Sequence, residues 1–133
     1  MSKCWLIFAG IFGALGVCLG AFGAHGLKNM LSPEDLTIYE TGVRYQMYHS
    51  FALMGYGFLN SLAEQKGHRL AKWPGVILTS GIVIFSGSLY LLVLTGTRQL
   101  GAITPIGGLC FIAGWIGFAL QAWRLPVSAD RQV

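Results

Sequence analysis

The sequence has few charged residues. Asp, Glu, Lys and Arg make up 11% of its 133 residues, whereas 54% carry hydrophobic side chains. Because a soluble domain carries about 25% charged residues, this chain cannot cover a water-facing surface. The net charge of +4 is small and not concentrated on one face, so nucleic acid is not an expected partner. The lipid bilayer is the expected environment.

The sequence also lacks the motifs of common catalytic and metal sites. It contains no HExxH, no P-loop and no nucleophile-elbow serine, and no acidic pair lies inside an apolar run. Cys4, Cys18 and Cys110 form no CxxC pair and are interpreted as free thiols. We therefore predict a protein that is not an enzyme, with no catalytic residue and no metal site. The sequence leaves any cofactor unknown.

Long apolar runs are abundant. About 20 helical residues cross a 30 Å hydrocarbon core, and helices satisfy their own backbone groups in lipid. We predict a single membrane domain, residues 1–133, that is an all-α bundle of four transmembrane helices. The predicted spans are residues 4–24, 45–62, 73–94 and 100–123.

The basic residues that flank these spans predict their orientation, because Lys and Arg are enriched in cytoplasmic loops. Six lie on one side, namely Lys3, Lys66, Arg69, Lys72, Arg124 and Arg131. Three lie on the other, namely Lys28, Arg44 and Arg98. The N-terminus and the C-terminus are therefore both predicted to be cytoplasmic.

Glycines recur on one face of the first span and again in the last span. Small residues let membrane helices approach closely. The predicted helix-packing residues of the first span are Gly13, Gly16, Gly20 and Gly23. The last span carries Gly107, Gly108, Gly114 and Gly117. The first set could face another span, a second copy of the chain or a partner membrane protein, and the sequence leaves this open.

Two segments carry signals for the start of a helix. Ser32 is expected to cap a helix with Pro33 and two acids in its first turn. Because an unbroken helix from here to Leu62 would be about 45 Å long, we predict an amphipathic segment along the outer face, with a bend near Gly42. Thr104 is expected to cap the last span. The short link before it predicts an antiparallel hairpin of spans three and four.

Polar residues near the outer face form the candidate site. They are His25, Glu40, Arg44, Tyr45 and His49. His25 ends the first span and His49 lies near the start of the second, so both are expected at a similar depth. Glu40 and Arg44 have the spacing of a helical ion pair.

Three interpretations of this cluster remain open. In the first it is structural, with His49 hydrogen-bonded to Tyr45 or to another span. In the second it forms a path for a proton or a small solute. In the third, His25 and His49 ligate haem or place a quinone headgroup. The preferred function is a structural or accessory role of a small polytopic inner-membrane protein, with a transporter-like or haem- or quinone-binding protein as the alternatives.

Four stretches carry a family resemblance, namely residues 20–27 (GAFGAHGL), 39–49 (YETGVRYQMYH), 85–90 (FSGSLY) and 100–108 (LGAITPIGG). With them the chain resembles the YgdD/YwdK-type family of small, uncharacterised bacterial inner-membrane proteins, which has mitochondrial relatives. The resemblance implies a four-helix protein of the bacterial inner (plasma) membrane. It implies no activity.

Overall fold

The computed structural model describes residues 2–125, and within them the fold is built from helices without strands. The elements are α1 (Ser2–Phe22), which continues into the π-helical segment Gly23–Leu27; α2 (Pro33–Gln65); α3 (Trp73–Gly81) and α4 (Gly87–Thr95), which are joined by the π-helical segment Ile82–Ser86; a 3-10 turn (Arg98–Ala102); and α5 (Thr104–Trp123). Because α3, its π segment and α4 follow without a break, they form one rod. The prediction of an all-α fold is confirmed.

Three helical stretches of the described chain are long and apolar enough to cross a membrane, namely Ser2–Leu27, Trp73–Thr95 and Arg98–Trp123. The longest helix, α2 with 33 residues, is long enough to cross a membrane but is not apolar enough to be counted with these three. One reason is that it buries polar side chains, among them Gln46, His49 and Asn60. These side chains lower its average hydropathy although they face the bundle.

Helix α2 runs from Pro33 to Gln65 without interruption, a length of about 50 Å at 1.5 Å per residue. The prediction of a separate amphipathic segment on the outer face, with a bend near Gly42, is therefore wrong. Gly42 lies within the helix, where it makes room for the ring of Tyr90, and Tyr39 is fully buried. The predicted cap is confirmed, because the Ser32 hydroxyl accepts a hydrogen bond from the Asp35 N–H at 3.1 Å.

Helices α1 and α2 pack antiparallel along almost the whole length of α1. Near one end, Gly23 faces the ring of Tyr39. Near the other, Gly57 faces Leu6, and the Ser2 hydroxyl donates a hydrogen bond of 2.8 Å to the Glu64 carboxylate. The two helices therefore cover the same distance in opposite directions.

The α3–α4 rod and α5 form the second antiparallel pair, which confirms the predicted hairpin. Gly107 of α5 lies against Phe85 of the π segment, and Gly114 lies against Leu78 of α3. Helix α2 joins the two pairs, because it also packs against the rod. The main core cluster contains Trp5, Ala9, Ala52, Leu53, Tyr56, Leu78, Ile82 and Phe111.

The predicted cap of the last span is wrong. Thr104 is the first residue of α5, and its N-cap is Ile103. The Thr104 hydroxyl instead shares a hydrogen bond of 2.7 Å with the hydroxyl of Ser88 in α4. This bond ties the two helices of the hairpin together near their connecting turn.

Candidate functional site

Tyr45 and His49 lie one turn apart on the face of α2 that points toward α5. His49 is 5% exposed, and its Nδ1 lies 2.7 Å from the backbone carbonyl oxygen of Tyr45. Its ring stacks on Phe111, with centroids 3.3 Å apart and planes 9° from parallel. The hydrogen bond between His49 and Tyr45 that the structural interpretation proposed is present, and its acceptor is the backbone carbonyl oxygen of Tyr45.

His25 lies elsewhere. It is exposed, in the π-helical segment that ends α1, close to Gly23, which faces Tyr39. His49 follows Tyr39 by ten residues, or about 15 Å along α2, and faces α5 rather than α1. The prediction that the two histidines lie at a similar depth is therefore wrong. This arrangement does not bring them together as a pair of haem ligands.

Glu40 and Arg44 line a small cleft of about 170 Å³ between α1 and α2, together with Gly20, Gly23 and Tyr39. Both side chains are exposed. Within residues 2–125 the predicted ion pair between them is not formed. Asp35 and Arg98 pair instead, at 2.7 Å, and join the start of α2 to the 3-10 turn.

Sequence reasoning did not find the buried polar network around Gln46. Its Nε2 donates a hydrogen bond of 2.8 Å to the carbonyl oxygen of Phe12 in α1, and its Oε1 accepts one of 2.9 Å from the Tyr90 hydroxyl in α4. Nearby, the Tyr39 hydroxyl donates to the Leu19 carbonyl at 3.0 Å. Gln46 thus joins three helices. The available signal was an amide inside a predicted apolar span, where such a group needs partners.

An aromatic groove of about 560 Å³ opens between α2 and α5. Its lining is Tyr45, His49, Phe85, Pro105, Gly108, Leu109, Phe111, Ile112 and Trp115. The rings of Tyr45 and Phe85 stack inside it, with centroids 4.6 Å apart. Ligand pockets in proteins commonly have volumes of about 300–1,000 Å³ and apolar walls with few polar groups. This groove has that character, with His49 as its buried polar group.

Along the seam between α1 and α2, the predicted helix-packing glycines differ in how closely α2 approaches them. A Cβ on Gly16 would meet Met47, one on Gly20 would meet Val43, and Gly23 faces Tyr39. These three glycines pack against α2, as predicted for helix packing. Gly13 does not, because a Cβ there meets nothing within 4 Å.

The described residues contain no cluster of three or more His, Cys, Asp or Glu side chains that could hold a metal ion. Cys4 and Cys18 are exposed and Cys110 is half-buried, all as free thiols. The described chain therefore offers histidine nitrogen and aromatic surfaces, rather than a ligand cage, as its site chemistry.

The outer surface defines the class of protein. Large apolar side chains point away from the bundle on every helical rod, for example Ile7, Val83 and Ile112, each more than half exposed. Apolar surface of this extent is suited to hydrocarbon rather than to water. Together with the three apolar helices, it defines an integral membrane protein of the helical bundle class.

A family profile described as "Protein of unknown function (DUF423)" matches residues 19–108. The UPF0382 membrane protein SSP2132 of Staphylococcus saprophyticus is 42% identical over 123 residues, which are 92% of this chain and 99% of that protein. The chain belongs to this family of membrane proteins, and the resemblance found from the sequence is confirmed.

Two further relatives are the proteins whose names the YgdD/YwdK-type family carries. The UPF0382 membrane protein YwdK of Bacillus subtilis is 42% identical over 120 residues, which are 90% of this chain and 96% of YwdK. The UPF0382 inner membrane protein YgdD of Escherichia coli is 40% identical over 127 residues, 93% and 92% of the two chains. No solved structure matches this chain.

Proposed function

We propose that the protein crosses the bacterial inner membrane four times, with both termini in the cytoplasm, and acts there as a structural or accessory protein rather than as an enzyme. The E. coli relative is named an inner membrane protein. The proposal has three parts, which are the number of crossings, their orientation and the mode of action.

The antiparallel packing of α1 and α2 supports the fourth crossing. α1 with its π segment is long and apolar enough to cross a bilayer, and α2 runs beside it from Tyr39, opposite Gly23, to Glu64, opposite Ser2. A helix that follows a membrane-crossing helix from end to end crosses the same thickness. Its polar residues are tolerated because they face other helices.

The basic residues at one end of the bundle support the orientation. Hydrogen bonds link Ser2 to Glu64 and the Ala71 N–H to the Gln121 side chain at 3.1 Å. The start of α1, the α2–α3 loop and the end of α5 therefore share one end. That end carries Lys3, Lys66, Arg69, Lys72 and Arg124. Arg131, which also counted in the prediction, lies outside the described residues. By the positive-inside rule, this excess of basic residues supports a cytoplasmic location for this end.

The single observation that carries the accessory role is the open part of the α1–α2 seam. There a groove of about 360 Å³ is lined by Leu6, Ala9, Gly10, Gly13, Met47, Ser50, Phe51, Met54 and Phe58. Gly10 and Gly13 have nothing within 4 Å of a Cβ position. A membrane helix that packs through small residues gains close van der Waals contact, which lipid chains give less well. The occupant we propose is a membrane-spanning helix of another chain.

We expect Gly13→Leu to weaken this association, because the side chain would enter the groove from a position whose Cβ meets no other atom within 4 Å. A photo-crosslinking amino acid at Phe51, an exposed residue of the groove, should give one discrete cross-linked protein product in intact membranes. The yield should fall by about tenfold in Gly13→Leu, which corresponds to about 1.4 kcal/mol of association free energy.

Ala14→Leu is the matched control, since it adds similar bulk to an exposed position of α1 outside the groove, and it should leave the product unchanged. A product at twice the chain mass would identify a second copy as the donor of the helix, and another mass would identify a different membrane protein. If lipid alone is captured, or if Gly13→Leu leaves the product intact, this mode of action is refuted.

A further inference from the structure

His49 is a buried polar side chain with one unused nitrogen. The carbonyl oxygen of Tyr45 can only accept a hydrogen bond, so the Nδ1 of His49, 2.7 Å away, must carry the hydrogen. In the neutral ring this leaves a lone pair on Nε2. Within the described chain no hydrogen-bond partner reaches that nitrogen. Phe111 stacks on one face of the His49 ring and holds it in place.

The groove in front of His49 suits a flat ring. Tyr45, Phe85 and Trp115 are among its lining residues, and each carries an aromatic ring. Aromatic rings gain from stacked and edge-to-face contact with another ring. The groove also opens between α2 and α5 to the surface that carries exposed Leu109 and Ile112. A ligand can therefore enter sideways from the bilayer.

The depth of His49 restricts the source of the ligand. Gly42 is level with Tyr90, which precedes the end of α4 by five residues, and His49 lies seven residues deeper than Gly42. At 1.5 Å per residue, His49 is about 18 Å below the end of a rod that is about 35 Å long. In the four-span topology this is near the bilayer centre, where phospholipid headgroups do not reach. The donor must belong to a molecule that is itself soluble in hydrocarbon.

We propose that the groove between α2 and α5 binds a lipid-soluble aromatic alcohol of the hydroquinone class, whose hydroxyl donates a hydrogen bond to Nε2 of His49 while its ring lies among Tyr45, Phe85 and Trp115. The reduced ring is favoured over the oxidised quinone. A quinone carbonyl only accepts hydrogen bonds, and the hydrogen of His49 is already committed to Tyr45. The proposal concerns binding and includes no electron transfer.

The test uses the full chain in phospholipid nanodiscs, with a decyl-substituted hydroquinone and the matching benzoquinone as probes. Bound probe is measured against empty nanodiscs, so that partition into lipid is subtracted. We expect one hydroquinone per chain, bound about tenfold more tightly than the quinone, as the loss of one buried hydrogen bond implies. His49→Phe keeps an aromatic ring on Phe111 and should remove this preference.

Two further variants separate binding from folding. Gly108→Leu fills the groove from α5 without changing His49 and should abolish binding of both probes. His25→Phe changes an exposed histidine outside the groove and should change neither. Equal binding of both probes to the wild type, or a preference that persists in His49→Phe, would overturn the proposal, as would wild-type nanodiscs that hold no more hydroquinone than empty ones. The depth of His49 rests on the proposed topology, which cysteine labelling tests separately.

Discussion

Gly107→Ala is expected to destabilise the bundle by about 2–3 kcal/mol, because α5 approaches the backbone of the neighbouring rod at this residue. A Cβ on Gly107 would lie 2.5 Å from the Phe85 nitrogen and 2.7 Å from its Cα. A side chain could move aside, but these are backbone atoms of the π-helical segment. The measurement is the free energy of unfolding in mixed micelles of mild detergent and sodium dodecyl sulfate, followed by circular dichroism.

Gly108→Ala is the matched control for this prediction. It is the next residue of the same helix, and its Cβ would meet the Phe85 ring at 3.9 Å, an ordinary contact distance. Both substitutions change helix propensity by the same amount, so the difference between them reports the close approach alone. Equal stability of the two variants would mean that α5 does not pack on Phe85 as described.

Gln46→Leu should give the second large loss of stability, about 2 kcal/mol, because two interhelical hydrogen bonds depend on this one amide. The substitution would remove the donor of the hydrogen bond to the Phe12 carbonyl oxygen of α1. It would also remove the acceptor of the hydrogen bond from the Tyr90 hydroxyl of α4. Hydrogen bonds between membrane helices are worth about 0.6 kcal/mol on average and up to about 1.7 kcal/mol, and a buried hydroxyl left without an acceptor adds a further cost. The same unfolding titration measures it.

A double-mutant cycle measures how much of that loss of stability comes from the hydrogen bond between Gln46 and Tyr90. Tyr90→Phe should cost about 1 kcal/mol alone, and little more once Gln46→Leu is present, since both remove the same bond. Tyr48→Phe is the control, because Tyr48 is 57% exposed on the same helix, and it should not change stability. Additive losses in the double variant would rule out the bond between Gln46 and Tyr90.

The sequence predicts the helices that lie in long apolar runs, because their signal is local. The runs 4–24, 73–94 and 100–123 lie almost wholly within helical stretches of the structure. The cap at Ser32 was also predictable, since three neighbouring residues specify it. The burial of the first third of α2 against other helices was not predictable, because hydropathy treats a polar residue as exposed. Tyr39 and Gln46 are buried only because helices distant in sequence supply their partners.

The candidate site shows the same division between local and distant contacts. The contact between His49 and Tyr45 follows from a spacing of four residues. The stacking of His49 on Phe111, and its separation from His25, depend on the register of α2 against α5 and α1. That register is set by pairs such as Gly23 with Tyr39 and Gly107 with Phe85, in which one helix leaves room for a side chain or backbone of another. No spacing within one helix encodes such pairs.

The most direct test of the proposed four-span topology is labelling of single cysteines with a membrane-impermeant maleimide, in a variant whose Cys4, Cys18 and Cys110 are replaced by alanine. Asn29→Cys, His68→Cys and Gln99→Cys place the label at exposed residues in the three connections between the helical rods. In spheroplasts, we predict that the cysteines at positions 29 and 99 react from outside and that the one at 68 reacts only after lysis. Reaction at 29 and 68 from the same side would show that α2 does not cross the membrane, and reaction at 68 alone from outside would reverse the orientation.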